Sequence, residues 1–192
     1  LQLNSSNVIS EDRNVSERIN YILPLQASYL DIFKRFSKGR KSAINQSIKN
    51  KLIIGNFPVD ELILLAKKNY DFKDFSFNEY NLLKHLVEKL QSKNKALLLG
   101  VRDANNILIG GSIFLLDSSR IVYLFSAVTK EGKQRQVASF LLNHVIQKYS
   151  EGQLILDFEG SMIPGIASFF KSFGATLEKY SLLKINKLPK VL

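Results

Sequence analysis

The chain has 192 residues, with 27 Lys and Arg against 17 Asp and Glu, a net charge of +10, and no cysteine. That length can bury one sizeable core and requires no second large domain, and the lack of cysteine excludes disulfides, thiolate metal sites and a cysteine nucleophile. A hydrophobic content of 45% excludes a disordered or collagen-like chain, and the longest apolar stretch, Ile107–Leu116, is broken by Gly110-Gly111 and too short to span a bilayer.

A cytoplasmic address is therefore the expectation. The first residues, Leu1-Gln2-Leu3-Asn4, have neither an initiator Met nor the basic-then-apolar order of a signal peptide, as expected of a piece of a longer protein. The charge is unevenly placed. Between Asp31 and Asp60 there are seven cations (Lys34, Arg35, Lys38, Arg40, Lys41, Lys49 and Lys51) and no acid. Such a field suits a phosphate-bearing ligand, a nucleic acid or an anionic lipid, and equally a plain solvated helix face.

In chain order, Arg18–Leu25 alternates as a strand does. Ser28 can then cap a helix running to about Lys51 with Leu30, Ile32, Phe33, Phe36, Ala43, Ile44 and Ile48 on one side, with Gly39 as a point where it could break. Leu52-Ile53-Ile54 is a short β-branched run closed by Gly55-Asn56, and Pro58 stands where a helix through Glu61–Asn69 could begin. Phe77–Lys93 repeats apolar residues at helical spacing. From Ala96 the period changes to that of strands: Ala96–Arg102, Ile107–Leu116 and Arg120–Thr129 form an antiparallel meander joined by polar turns. Gly132 opens a helix with Val137, Phe140, Leu141, Val145 and Ile146 inward, Leu154–Phe158 is a short strand, Pro164 starts a helix that Gly174 stops, and Ala175–Ile185 is a last strand. The Gly110-Gly111 pair inside a strand indicates a bulge or a close approach of another element.

This order predicts an α/β (α+β) domain: a mixed, mainly antiparallel central sheet with helices on both faces and one parallel βαβ crossover, made by the helix between Arg120–Thr129 and Leu154–Phe158. Ligands of such sheets favour the carboxyl ends of the parallel strands, here Val128–Arg135 and Glu159–Ser161. His85 and His144 each stand alone on predicted helices without carboxylates at metal-ligand spacing, so no metal is expected.

Over Leu52–Ile185 the element order resembles the GNAT (acyl-CoA N-acyltransferase) superfamily. Tyr123-Leu-Phe-Ser-Ala-Val-Thr, Asp157-Phe-Glu-Gly-Ser and Phe169-Phe-Lys-Ser-Phe-Gly-Ala resemble its FemABX-like branch, which includes bacterial peptidoglycan peptidyltransferases, and the segment from Gly39-Arg-Lys-Ser resembles the basic helix opening the second GNAT repeat of that branch. On this resemblance residues 1–27 are a linking strand or the tail of a preceding repeat, and residues 28–192 are the GNAT-like domain. The resemblance implies an N-acyltransferase that moves an acyl group from acyl-CoA, or an aminoacyl group from aminoacyl-tRNA, to an amine by direct attack. The alternative is a non-catalytic GNAT-like module binding a nucleic acid or protein through its basic helix.

In that superfamily a loop at the start of the central helix grips the donor's pyrophosphate with backbone amides, where free N–H groups and the helix dipole attract anions. The matching residues are Lys133, Gln134, Arg135, Gln136, Val137 and Ala138, with Gln136 where the family has Gly. The resemblance also implies that the strands before and after this helix splay apart, so that backbone groups of Phe125, Ser126, Ala127 and Val128 hold the donor's arm and polarise the reacting carbonyl. The tyrosine that many relatives carry four residues before the Gly ending the last helix corresponds to Phe170, which has no proton to give. Glu159 is the candidate base for the amine, and equally a turn residue or helix-dipole partner; Asp157 reads as a structural hydrogen bonder, and Tyr123 and Tyr180 are more distant alternatives for the proton transfer that read first as packing residues. The acceptor pocket falls to Asn56–Phe77, which holds no recognisable motif.

Overall fold

The computed structural model describes residues 2–3, 15–70, 77–159 and 163–183. Among these residues eight strands form one sheet: β1 (Gln2–Leu3), β2 (Val15–Pro24), β3 (Ile54–Gly55), β4 (Ala96–Arg102), β5 (Leu108–Leu116), β6 (Arg120–Val128), β7 (Ile155–Asp157) and β8 (Thr176–Leu183). Their order across the sheet is β1-β8-β2-β7-β6-β5-β4-β3. All neighbours are antiparallel except β6 and β7, the parallel pair of the βαβ crossover. The N-terminal strand β2 lies inside the sheet, between β7 and β8, rather than beside it.

The helices are α1 (Tyr29–Lys34), α2 (Lys38–Lys49), α3 (Val59–Asn69), α4 (Phe77–Gln91), α5 (Lys130–Gln134), α6 (Val137–Tyr149) and α7 (Pro164–Lys171). Strands β4 and β5 are apolar on both sides because both faces of the sheet are covered. One core, around Ile32, Ile44, Phe114, Leu141, Phe158 and Phe173, packs α1, α2, α6 and α7 against one face. A second, around Leu62, Ala66, Val87, Leu98 and Ile113, packs α3 and α4 against the other. Each fully buried Leu, Ile or Phe side chain contributes about 1.5–3 kcal/mol.

Two helices begin elsewhere than the periodicity predicts. The basic segment does break in two, but at Ser37 rather than Gly39: the Ser37 hydroxyl accepts the Arg40 N–H at 3.1 Å and starts α2. The central helix starts at Val137 and not at Gly132, because Lys130–Gln134 makes a separate turn capped by the Thr129 hydroxyl, which accepts the Gly132 N–H at 3.0 Å. The glycine pair in β5 is a place of close approach. A Cβ on Gly110 would sit 2.7 Å from a Val137 methyl carbon, whereas the register irregularities fall at Val101/Arg102 and Ile113/Phe114.

Candidate active site

The site begins where two strands part. β6 and β7 pair only through Arg120, Ile121 and Val122 opposite Ile155, Leu156 and Asp157. Beyond Asp157 the chain leans towards β2, the Phe158 N–H donating to the Tyr21 carbonyl at 3.0 Å. The gap opens into a cavity of about 820 Å³ with a largely apolar wall that includes Leu124, Phe158, Ile163, Phe169 and Phe170.

Of the residues singled out in the sequence, Phe125, Ser126, Val128, Lys133, Gln136, Val137, Ala138 and Glu159 line this cavity together. Ala127 does not: it is fully buried in the core under α3 and α4. Gln134 is exposed and Arg135 turns away, its guanidinium on Glu131 at 3.0 Å and its carbonyl within 3.5 Å of the Asn50 amide. Gly160 and Ser161 lie outside the described residues, as does 71–76 of the segment expected to bind the acceptor. His85 is exposed on α4 and His144 half-buried on α6, both away from the cavity lining.

At one end stands the head of α6, whose first amides, those of Val137, Ala138 and Ser139, have the orientation that favours an anion. Gln136 precedes it at φ 62°, ψ 32°, the left-handed region that glycine adopts without cost. The side chain thus departs from the family pattern while the backbone keeps the glycine-like conformation. Behind Ser139 lies Arg40, whose guanidinium donates to the Ser139 hydroxyl and, at 2.9 Å, to that of Ser172. Arg40 stacks over the rings of Phe169 and Phe173 at 4.3 and 4.6 Å, and burial pulls its pKa down to about 10. Part of the basic helix therefore points into the fold and not to solvent.

Tyr70, at the end of α3, closes the other flank. Its hydroxyl accepts the Val128 N–H at 3.2 Å and donates to the Val128 carbonyl at 3.1 Å, taking both backbone groups that a donor's arm would use at that residue. The Lys133 ammonium sits 5.0 Å from its ring.

Glu159 projects at the mouth with φ 62°, its N–H held at 2.9 Å by the buried Asp157 carboxylate. Asp157 also accepts from the Asn20 amide at 2.8 Å and from Arg120 at 2.6 Å, and Arg120 in turn is held by Glu178 through two bonds of 2.9 Å. Phe170 stacks on Phe158, centroids 4.8 Å apart, and meets the Tyr123 ring edge-on at 6.2 Å. Tyr123 lines the cavity next to Ser126, and burial raises its pKa.

Solved structures share this architecture. FemX superposes with a TM-score of 0.71 at 14% identity, over 90% of this chain and 63% of that one. A protein of unknown function from Bacteroides thetaiotaomicron gives 0.63 at 11% identity, over 90% and 63%. L-PGS from Bacillus licheniformis gives 0.57 at 13% identity, over 91% and 63%. This chain thus spans less than two thirds of the length of each. No protein-family model and no curated protein matches its sequence. The fold is GNAT-like, and it is the one that FemX has. Among the described residues no helix is long and apolar enough to cross a membrane.

Proposed function

We propose that the chain is an N-acyltransferase that moves an acyl or aminoacyl group from acyl-CoA or aminoacyl-tRNA to a small-molecule or peptide amine, in the cytoplasm, by direct attack in a ternary complex. The observation that carries this reading is the parting of β6 and β7 into a cavity that runs to the head of α6. An elongated donor with an anionic end and a carbonyl end fits such a cleft: phosphate at the α6 amides beside Lys133, the carbonyl near the open edge of β6. Glu159 at the mouth is the base that takes the amine's proton, and the donor is a co-substrate with no metal in the step.

The test combines the purified chain with a panel of acyl-CoAs and aminoacyl-tRNAs and a mixture of primary amines, following free thiol or deacylated tRNA and amide product. Amide formation with one donor class supports the reading, and a bound donor should also raise the melting temperature. If neither coenzyme A, acyl-CoAs nor aminoacyl-tRNA binds, the reading fails. One observation favours a second reading, a non-catalytic module that binds through its basic helix: Tyr70 already satisfies the backbone of Val128. That reading predicts salt-dependent nucleic-acid or protein binding without donor binding.

A further inference from the structure

We propose that Tyr123 is the proton donor of the reaction, its phenolic O–H protonating the departing sulfur or oxygen of the acyl donor. This rests on the acyltransferase reading above and adds to it a residue whose role its neighbours in the sequence conceal.

The argument starts from the register of β5 and β6. Ser112 faces Ser126 and Ile113 faces Phe125, but Phe114 faces Tyr123, so Leu124 is an extra residue in β6. Simple alternation would put residues 123 and 126 on opposite faces. The bulge puts them on the same one: Leu124 and Phe125 both join the core under α3 and α4, while Tyr123 packs on Phe114, centroids 5.3 Å apart, and Ser126 meets Ser112 at 3.0 Å. The phenol consequently lies along the strand towards the two serines, at the point where β6 leaves β7.

Those serines have their protons committed. Ser112 donates to Ser126, and Ser126 donates to the Gly111 carbonyl at 3.1 Å. In the resting state the phenol keeps its own proton, since burial holds its pKa up. Once that proton has gone, both serine hydroxyls can turn and donate to the phenolate, which stabilises the product of the transfer. The ring is fixed for this by Phe114 and by edge-on contacts with Phe158 at 6.4 Å and Phe170 at 6.2 Å. Phe170 fills the place from which a tyrosine would have acted, and Tyr123 lines the same cavity from the sheet side.

The step balances. The amine lone pair forms the new C–N bond, the electron pair of the breaking C–S bond (C–O for an aminoacyl ester) stays with the leaving atom, and that atom takes the Tyr123 proton. The nitrogen sheds its proton to Glu159, Glu159 releases that proton to solvent, and the phenolate takes one back from solvent, so that both groups are restored. The sum is acyl donor plus amine giving amide plus thiol or alcohol.

The experiment compares Tyr123→Phe with the wild type on the donor that the wild type uses and on the p-nitrophenyl ester of the same acyl group, whose leaving group departs without protonation. We expect kcat on the natural donor to fall by about 10²–10⁴-fold, with KM and melting temperature nearly unchanged, and transfer from the nitrophenyl ester to be retained. The fall of kcat at high pH should vanish in Tyr123→Phe and move to lower pH when 3-fluorotyrosine stands at 123, a replacement that keeps the hydroxyl. Equal rates for wild type and Tyr123→Phe on the natural donor overturn the proposal, as does an equal loss on both donors. If the wild type transfers no acyl group from any donor, the acyltransferase reading falls first and the proposal with it.

Discussion

The carboxylate of Asp157 accepts the backbone N–H of Glu159 at 2.9 Å, so a buried residue of the sheet holds the conformation of an exposed one at the mouth of the cavity. Glu159 stands at φ 62°, a region that costs a residue with a side chain roughly 1 kcal/mol and that a local hydrogen bond helps to maintain. Asp157→Ala removes that bond together with the acceptor of the Asn20 amide and one of the two carboxylates on Arg120. We expect a loss of about 2–3 kcal/mol in urea unfolding, below the cost of orphaning a buried cation because Glu178 still holds Arg120. Transfer activity should drop further than the folded fraction does; activity that tracks only the folded fraction would show that Glu159 needs no such support.

Gln136 offers a test of the anion end of the cleft. Its left-handed backbone is the one that glycine adopts freely, and its side chain makes a long contact, 3.4 Å, with Ser139. Gln136→Gly should therefore raise stability by about 0.5–1 kcal/mol and let a phosphate approach the α6 amides more closely. Thermal denaturation with and without coenzyme A reads both effects. An unchanged coenzyme A shift in the stabilised variant would remove the loop from the donor site.

How far the sequence foretold this arrangement depends on which forces act locally. Ala96–Arg102 was legible to the residue because an apolar run between polar turns has few other uses. The position of β2 was not, since its partners Leu156 and Asp157 are more than 130 residues away and no local period reports them. The head of α6 was misread because a non-glycine residue at positive φ leaves no mark in composition; Gly132, which does look like a boundary, belongs to the preceding turn. The extra residue at Leu124 had the largest effect. It reverses the alternation on which a strand is read, and so brings Tyr123 and Ser126 to one face of the sheet.

Gly132 is required for a reason the helical period does not contain. A Cβ there would clash with the Ile109 carbonyl oxygen, a backbone atom that already accepts the Thr129 N–H at 2.9 Å. Gly132→Ala must push α5 away from β5 or break that bond, and we expect a loss of about 1–3 kcal/mol despite the better helix propensity of alanine. Because α5 leads directly into the head of α6, donor binding should weaken as well. A melting temperature equal to or above that of the wild type would show that the turn can shift without cost.

His144, on α6, ties stability to pH. Burial, and to a lesser degree the charge of Lys148, disfavours its imidazolium, so its pKa in the folded chain lies below the ordinary 6.5. As pH falls through 6.5 the unfolded chain takes up the proton first, and proton binding pulls the equilibrium towards unfolding until the folded pKa is reached. The stability associated with this residue is thus fully present above pH 6.5 and is lost below it. Carboxylates such as Asp31, whose pKa is lowered from 3.8 by Lys34 and Ser28, act in a separate and more acidic window. Urea unfolding of the wild type and of His144→Gln at pH 7.5 and 5.5 isolates the effect, since glutamine does not titrate. The wild type should lose more stability between the two pH values than the variant, and parallel losses would mean that the imidazole is as easily charged in the folded protein as in the unfolded chain.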